Sequence, residues 1–111
     1  MACLALCGCV GATTRSASVQ NNTGDEELSA YAAEALAEQL KARGLALSAF
    51  ELVTRLEALD DGGLEVQILC SGKVDHLLKG RVKVKGRGGP HRKLLRSMMG
   101  EAVRDLAADC R

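Results

Sequence analysis

Apolar and polar positions follow two rhythms along this chain, and the places where the rhythm changes mark its elements. Leu28, Tyr31, Ala32, Ala35, Leu36 and Leu40 fall on one stripe at helical spacing. Ahead of them, Thr23-Gly24-Asp25-Glu26 has the form of a capping box. In that motif the threonine hydroxyl accepts from a free backbone N–H and the glutamate reaches back. Acids at the start (Asp25, Glu26, Glu27) and bases at the end (Lys41, Arg43) suit the helix dipole, and Gly44 supplies the stop.

From Ala46 the period becomes two. Phe50, Leu52, Thr54 and Leu56 alternate with Glu51, Val53, Arg55 and Glu57. Asp60-Asp61-Gly62-Gly63 then offers residues that tolerate positive φ, so a hairpin turn is expected. Leu64, Val66, Ile68 and Cys70 alternate with Glu65, Gln67, Leu69 and Ser71, and after a bend around Asp75–Gly80 the valines Val82 and Val84 alternate with Arg81, Lys83 and Lys85. Three antiparallel strands follow, apolar on one face and charged on the other.

Helical spacing returns after Gly86-Arg87-Gly88-Gly89, with Pro90 suited to a helix start. Leu94, Leu95, Met98, Met99, Ala102, Val103, Leu106 and Cys110 share one face. The expected fold class is α+β: a two-layer α-β-β-β-α sandwich over residues 24–111, its three-stranded antiparallel sheet carrying both helices on one face.

The chain ahead of this domain is of another kind. Val10 to Asn22 is rich in Ser, Thr, Asn and Gln with little to bury, and residues 10–23 read as a flexible polar tether. Residues 1–9 are apolar and end in Leu6-Cys7-Gly8-Cys9. This run resembles the lipobox of bacterial lipoproteins, with a leucine three positions back and a small residue one back from a cysteine. The resemblance implies a signal-peptide remnant over residues 1–9 and lipidation at Cys9. It also implies an outer-membrane address facing the periplasm, because Val10 stands where inner-membrane retention uses aspartate. No Lys or Arg precedes Arg15, whereas export signals open on positive charge. The alternative address is the cytoplasm. Cys3, Cys7 and Cys9 lack the paired spacing of structural zinc sites, so no metal is expected.

Composition narrows the function. Tyr31 and Phe50 are the only aromatic residues, which argues against single-strand binding by base stacking. No apolar run is long enough to span a membrane as a helix. Cys70 and Cys110 fall on the apolar sides of their elements, so either a disulfide joins them or two free thiols stay buried apart. An oxidising compartment would favour the bond. A loop of about 40 residues closed this way is worth roughly 4 kcal/mol in the chain-entropy model.

Charge is strongly segregated. Residues 25–65 carry ten acids against three bases, and residues 73–96 carry nine bases against one acid. Two readings fit: an anionic partner, or two halves that neutralise each other on folding. His91, Arg92, Lys93 and Arg96 place positive charge at the positive end of the second helix dipole, after glycines. Helix starts of this kind bind anions. The candidate anion-binding residues are therefore Arg81, Lys83, Lys85, Gly88, Gly89, His91, Arg92 and Lys93. Replacing Arg92 and Lys93 by alanine is expected to weaken polyanion retention without changing the melt.

Gly86-Arg87-Gly88-Gly89-Pro90-His91-Arg92-Lys93 and the apolar spacing after it resemble the double-stranded-RNA-binding domain, which shares the α-β-β-β-α order. That resemblance implies phosphate contacts at His91, Arg92 and Lys93. The mid-domain Gly-Pro-x-His loop of that family is absent. A second resemblance, carried by the lipobox, the tether, Asn22-Thr23-Gly24 and Leu40-Lys41-Ala42-Arg43-Gly44, is to small envelope lipoproteins such as penicillin-binding-protein activators and curli-secretion lipoproteins. Those families place a strand before Asn22, where a tether is expected here.

Catalysis has no anchor in the sequence. A Cys70–His76 nucleophile pair needs an accessible thiolate, and Cys70 is expected to face the core. Asp60-Asp61 is turn chemistry. The expectation is a non-enzymatic, lipid-anchored envelope protein without a cofactor, which binds another envelope protein or an anionic lipid surface. The alternative is a cytoplasmic double-stranded-RNA-binding-like module, with nucleic acid the less favoured partner.

Overall fold

The computed structural model describes residues 17–45 and 50–110, in the order β1 (Ala17–Asn22), α1 (Glu27–Ala42), β2 (Phe50–Ala58), β3 (Leu64–Gly72), β4 (Leu78–Gly86) and α2 (His91–Asp109). Cys9 lies outside the described residues. The fold is α+β, with two helices on one face of a four-stranded mixed sheet ordered β1-β2-β3-β4.

The three strands read from alternation pair antiparallel as expected, β2 with β3 and β3 with β4. Leu52, Thr54 and Leu56, then Leu64, Val66, Ile68 and Cys70, then Val82 and Val84 are buried beneath the helices. The β2–β3 turn is tied by the Leu59 and Gly62 amides, which donate to the Gly63 and Leu59 carbonyls respectively. Gly62 takes φ 88°, a conformation that costs glycine little. The Asp61 side chain accepts from the Gly63 amide at 3.0 Å.

The fourth strand corrects the sequence reading. Part of the stretch expected to be a tether, Ala17–Asn22, forms β1 and runs parallel to β2, with α1 as the crossover that a parallel pair requires. Its side chains alternate between half-buried (Ala17, Val19, Asn21) and exposed (Ser18, Gln20, Asn22). An edge strand with one paired side needs few apolar groups, and this one has only Ala17 and Val19. Asn21 fixes the exit into α1: its amide donates to the Asp25 carbonyl at 2.7 Å and to Ser29 Oγ at 3.1 Å, and its oxygen accepts from the Thr23 amide and hydroxyl.

The capping box does not form. Glu26 occupies the cap position without a side-chain hydrogen bond. Thr23 instead accepts from the Asp25 amide, and Asp25 from the Glu27 amide, so two short steps replace one reciprocal pair.

Leu28, Ala32, Ala35 and Leu36 of α1 meet Leu95, Met98, Met99, Ala102, Val103 and Leu106 of α2 in one core. The helices run in the same direction, since Glu27 meets Arg92 and Glu38 meets Arg96. Tyr31, expected on the buried stripe, is 45% exposed. A disulfide joins Cys70 of β3 to Cys110 just after α2, with Cα atoms 6.7 Å apart and both residues fully buried. Thr54 is the one buried polar residue found, and its hydroxyl lacks a partner among the described residues.

Candidate anion-binding face

The helices cover one face of the sheet and leave the other open. Strand register writes that open face as a lattice. One row reads Ser18, Val53, Leu69, Arg81; the next reads Gln20, Arg55, Gln67, Lys83; the third reads Asn22, Glu57, Glu65, Lys85. A further row, Glu51 and Ser71, lies beyond the first, so acids stand at both ends of the face: Glu51 is 3.8 Å from the His76 ring, and Glu65 is 4.0 Å from Lys85 Nζ.

Arg55, Arg81 and Lys83 have no carboxylate within ion-pair reach among the described residues. Adjacent strands lie about 4.8 Å apart and alternate residues about 6.8 Å along a strand, so these bases sit within roughly 7–12 Å of one another. The Arg55 Nε–H donates to Gln20 Oε1 at 3.0 Å, which steadies the guanidinium. Three cations thus surround Gln67 and the half-buried Leu69 on an exposed surface. Chemically this patch can hold phosphate or carboxylate groups by charge and hydrogen bonding, and it offers no nucleophile or proton-transfer pair.

The remaining expected residues do not join it. Gly88, Gly89, His91, Arg92 and Lys93 belong to the helix layer, away from the open face. The His91 ring nitrogen Nε2 is 3.1 Å from the Gly62 carbonyl oxygen. Arg92 reaches Glu27, lies 3.8 Å from Asp25, and stacks over Tyr31 at 4.9 Å from the ring centre. Arg96 bonds Glu38 at 3.1 Å. Of the helix-start bases, Arg92 and Arg96 have acidic partners, His91 meets a backbone carbonyl, and Lys93 has no acidic partner among the described residues. The single anion site expected from sequence is therefore divided. Its helix half is neutralised at Arg92, by Asp25 and Glu27, and its strand half is open at Arg81 and Lys83.

Arg55 was absent from the sequence-based set because it lies in an acid-rich segment. Its position is set by register: the Asp60–Gly63 turn puts Arg55 opposite Gln67, and the next hairpin puts Gln67 opposite Lys83.

A second basic surface lies along α2, where Arg43, Lys85, Arg87 and Arg104 rim a groove floored by Val84 and Met98. Most of its charge is occupied. Arg87 pairs with Asp61, Lys85 with Glu65, and Arg104 with Glu101 and Asp105. The Arg87 hydrogen bond, followed by the Gly63 amide, holds the Asp61 carboxyl below its ordinary value.

No group of three or more metal-ligating side chains occurs among the described residues. Cys70 is spent in the disulfide, and His76 stands exposed with Glu51 at 3.8 Å.

No known family model matches this chain, and no curated protein matches it by sequence. Among solved structures it is similar to a dodecamer of a PelC variant from Paraburkholderia phytofirmans, at 16% identity and TM-score 0.68, over 86% of this chain and 84% of that one. The shared property is the fold. It also aligns with the N-terminal domain of Protein Y from Thermus thermophilus (12% identity, TM-score 0.49, 83% of this chain and 93% of that one). A candidate lipoprotein from Caulobacter crescentus aligns at 13% identity and TM-score 0.48, over 89% of this chain and 90% of that one.

Proposed function

We propose that this chain is a lipid-anchored envelope protein whose globular part binds an anionic surface and catalyses nothing. The observation that carries the binding reading is the set of three cations, Arg55, Arg81 and Lys83, on the open sheet face, none with an acidic partner among the described residues. Exposed ion pairs contribute at most about 1 kcal/mol each, so fold stability alone gives little reason to gather bases there without acids. Positive charge concentrated on one face raises the encounter rate with anionic partners and makes binding salt-dependent.

Two features support the compartment. Leu6-Cys7-Gly8-Cys9 resembles the lipobox pattern, with Cys9 as the acylated residue and the outer membrane, facing the periplasm, as the proposed address. The Cys70–Cys110 disulfide belongs to the chemistry of an oxidising environment. The RNA-binding alternative is weakened, because His91 and Arg92 already have partners within the fold.

Intact mass after membrane fractionation tests the anchor. Acyl mass on a chain beginning at Cys9 supports it, and an unmodified chain in the soluble fraction refutes it.

A further inference from the structure

The described residues expose four large apolar side chains, and three of them crowd one turn: Val74 is 94% exposed, Leu77 61% and Leu78 54%. This β3–β4 turn is rigidly built. The Gly72 amide donates to the Leu77 carbonyl and the His76 amide to the Gly72 carbonyl, both at 3.0 Å. Asp75 Oδ1 accepts from the Leu77 amide at 3.0 Å, and Lys79 Nζ bonds Asp75 Oδ2 at 2.8 Å. A side chain at position 72 would displace the Asp75 carboxylate, which caps the Leu77 amide, so glycine suits this packing. His76 completes the turn at φ 58°. The apolar groups are thus held outward by a fixed frame.

Charge and topology say what they face. Residues 73–81 carry Lys73, Lys79 and Arg81 against Asp75, with Glu51 3.8 Å from the His76 ring; Lys79 is held by Asp75, while Lys73 and Arg81 have no acidic partner among the described residues. Register also places the start of the described chain beside the turn. Ala17 pairs with Leu52, Leu52 with Cys70, and Phe50 pairs with Gly72 at the turn itself. The chain therefore enters β1 from the end of the sheet where Val74 and Leu77 project. Eight residue steps separate Cys9 from Ala17, a reach of at most about 29 Å.

We infer that the β3–β4 turn is a membrane-contact tip, in which Val74, Leu77 and Leu78 enter the headgroup–acyl boundary of an anionic phospholipid leaflet while Lys73 meets its phosphates. Apolar groups framed by bases bind such leaflets through buried area and electrostatic attraction together. The inference rests on the envelope reading above and names the anionic surface as lipid. Arg81 continues the contact onto the open face.

The test uses the full chain carrying Cys9→Ser, so that no acyl group contributes, with Val74→Trp as a reporter in a sequence that has no tryptophan. Vesicles of phosphatidylglycerol and phosphatidylcholine are the probe. The tip reading expects blue-shifted emission quenched by lipids brominated on their acyl chains, and about a tenfold lower bound fraction for Val74→Asp with Leu77→Asp. Emission that stays at its water position, or a bound fraction unchanged by the aspartates, overturns it. So does a result in which the aspartates change only the sedimentation coefficient of the free protein, which would make the tip a contact between copies. The mass measurement on Cys9 is separate: an unmodified Cys9 with a vesicle-inserted tip removes the anchor alone, and an acylated Cys9 with a water-exposed tip removes the tip alone.

Discussion

The Arg92 guanidinium lies 4.9 Å from the centre of the Tyr31 ring while its nitrogens turn toward Glu27 and Asp25. One side chain thus clamps the start of α2 to the start of α1 and explains why Tyr31 stays at the surface. This geometry gives Arg92 partners within the fold, so its replacement is expected to act on stability. Arg92→Ala should lower stability by about 1 kcal/mol, from lost ion pairing and cation–π contact. A thermal melt beside an anion-retention assay checks it. A variant that keeps its melting temperature but loses retention would return Arg92 to the binding surface.

The Thr54 hydroxyl is buried between Val19 of β1 and Ile68 of β3 in register, without a partner among the described residues. Burying an unpaired hydroxyl costs about 1–3 kcal/mol, so Thr54→Val, which keeps the shape, should stabilise the domain. For a domain of this size, a gain of about 1 kcal/mol raises the melting temperature by roughly 4–8 °C. An unchanged or lower melting temperature would mean that the hydroxyl is satisfied in solution.

The Cys70–Cys110 bridge closes a loop with a sequence separation of 40. The chain-entropy model values such a loop at about 4 kcal/mol. Urea unfolding with and without reductant should show a loss of that order, and alkylation with mass analysis should find these two thiols protected until reduction. Equal midpoints in both conditions would leave the bridge without a stabilising role.

Two turn carboxylates set an acid limit. Asp61 is held below its ordinary value first by the Arg87 hydrogen bond, and Asp75 first by the Lys79 hydrogen bond; the Gly63 and Leu77 amides add to each respectively. A folded value below the unfolded one gives stabilisation that is complete above the unfolded value and fades as pH falls through the folded one. Stability should therefore be level above about pH 5 and decline below about pH 4 from this source. Because both groups are exposed, the clearest readout is local. Protection of the Gly63 and Leu77 amides, taken relative to the intrinsic exchange rate at each pH, should fall in acid in the parent chain and should be lost at every pH in Asp61→Ala and Asp75→Ala, which remove the acceptor.

Sequence rhythm was a good guide wherever burial enforces it. Alternation at Leu52–Leu56, Leu64–Cys70 and Val82–Val84, and helical spacing from Leu95 to Leu106, each report one face pressed against the core. It failed at β1 because an edge strand under one helix buries only Ala17 and Val19 partially, and Ser, Gln and Asn at the intervening positions look like tether. It misplaced Tyr31 because spacing assigns a face without knowing that Arg92 stands at its rim. The candidate site was half legible. Arg81, Lys83 and Lys85 follow from alternation on β4, but the loss of Arg92 to Glu27 and the arrival of Arg55 beside Lys83 depend on contacts between distant segments. The exposed Val74–Leu78 turn gave no signal in periodicity, since short apolar pairs at a bend look like the ends of strands.

Partition of the Cys9→Ser chain to anionic vesicles, compared with the same chain carrying Arg81→Ala and Lys83→Ala, tests the open sheet face most directly. Each base near an anionic leaflet contributes about 1 kcal/mol, so the pair should weaken partitioning roughly thirtyfold at moderate salt and reduce its salt dependence. The melting temperature should stay within about 1 °C of the parent, because neither base has an acidic partner among the described residues. Equal partitioning of the two chains would contradict an anion-binding role for this face.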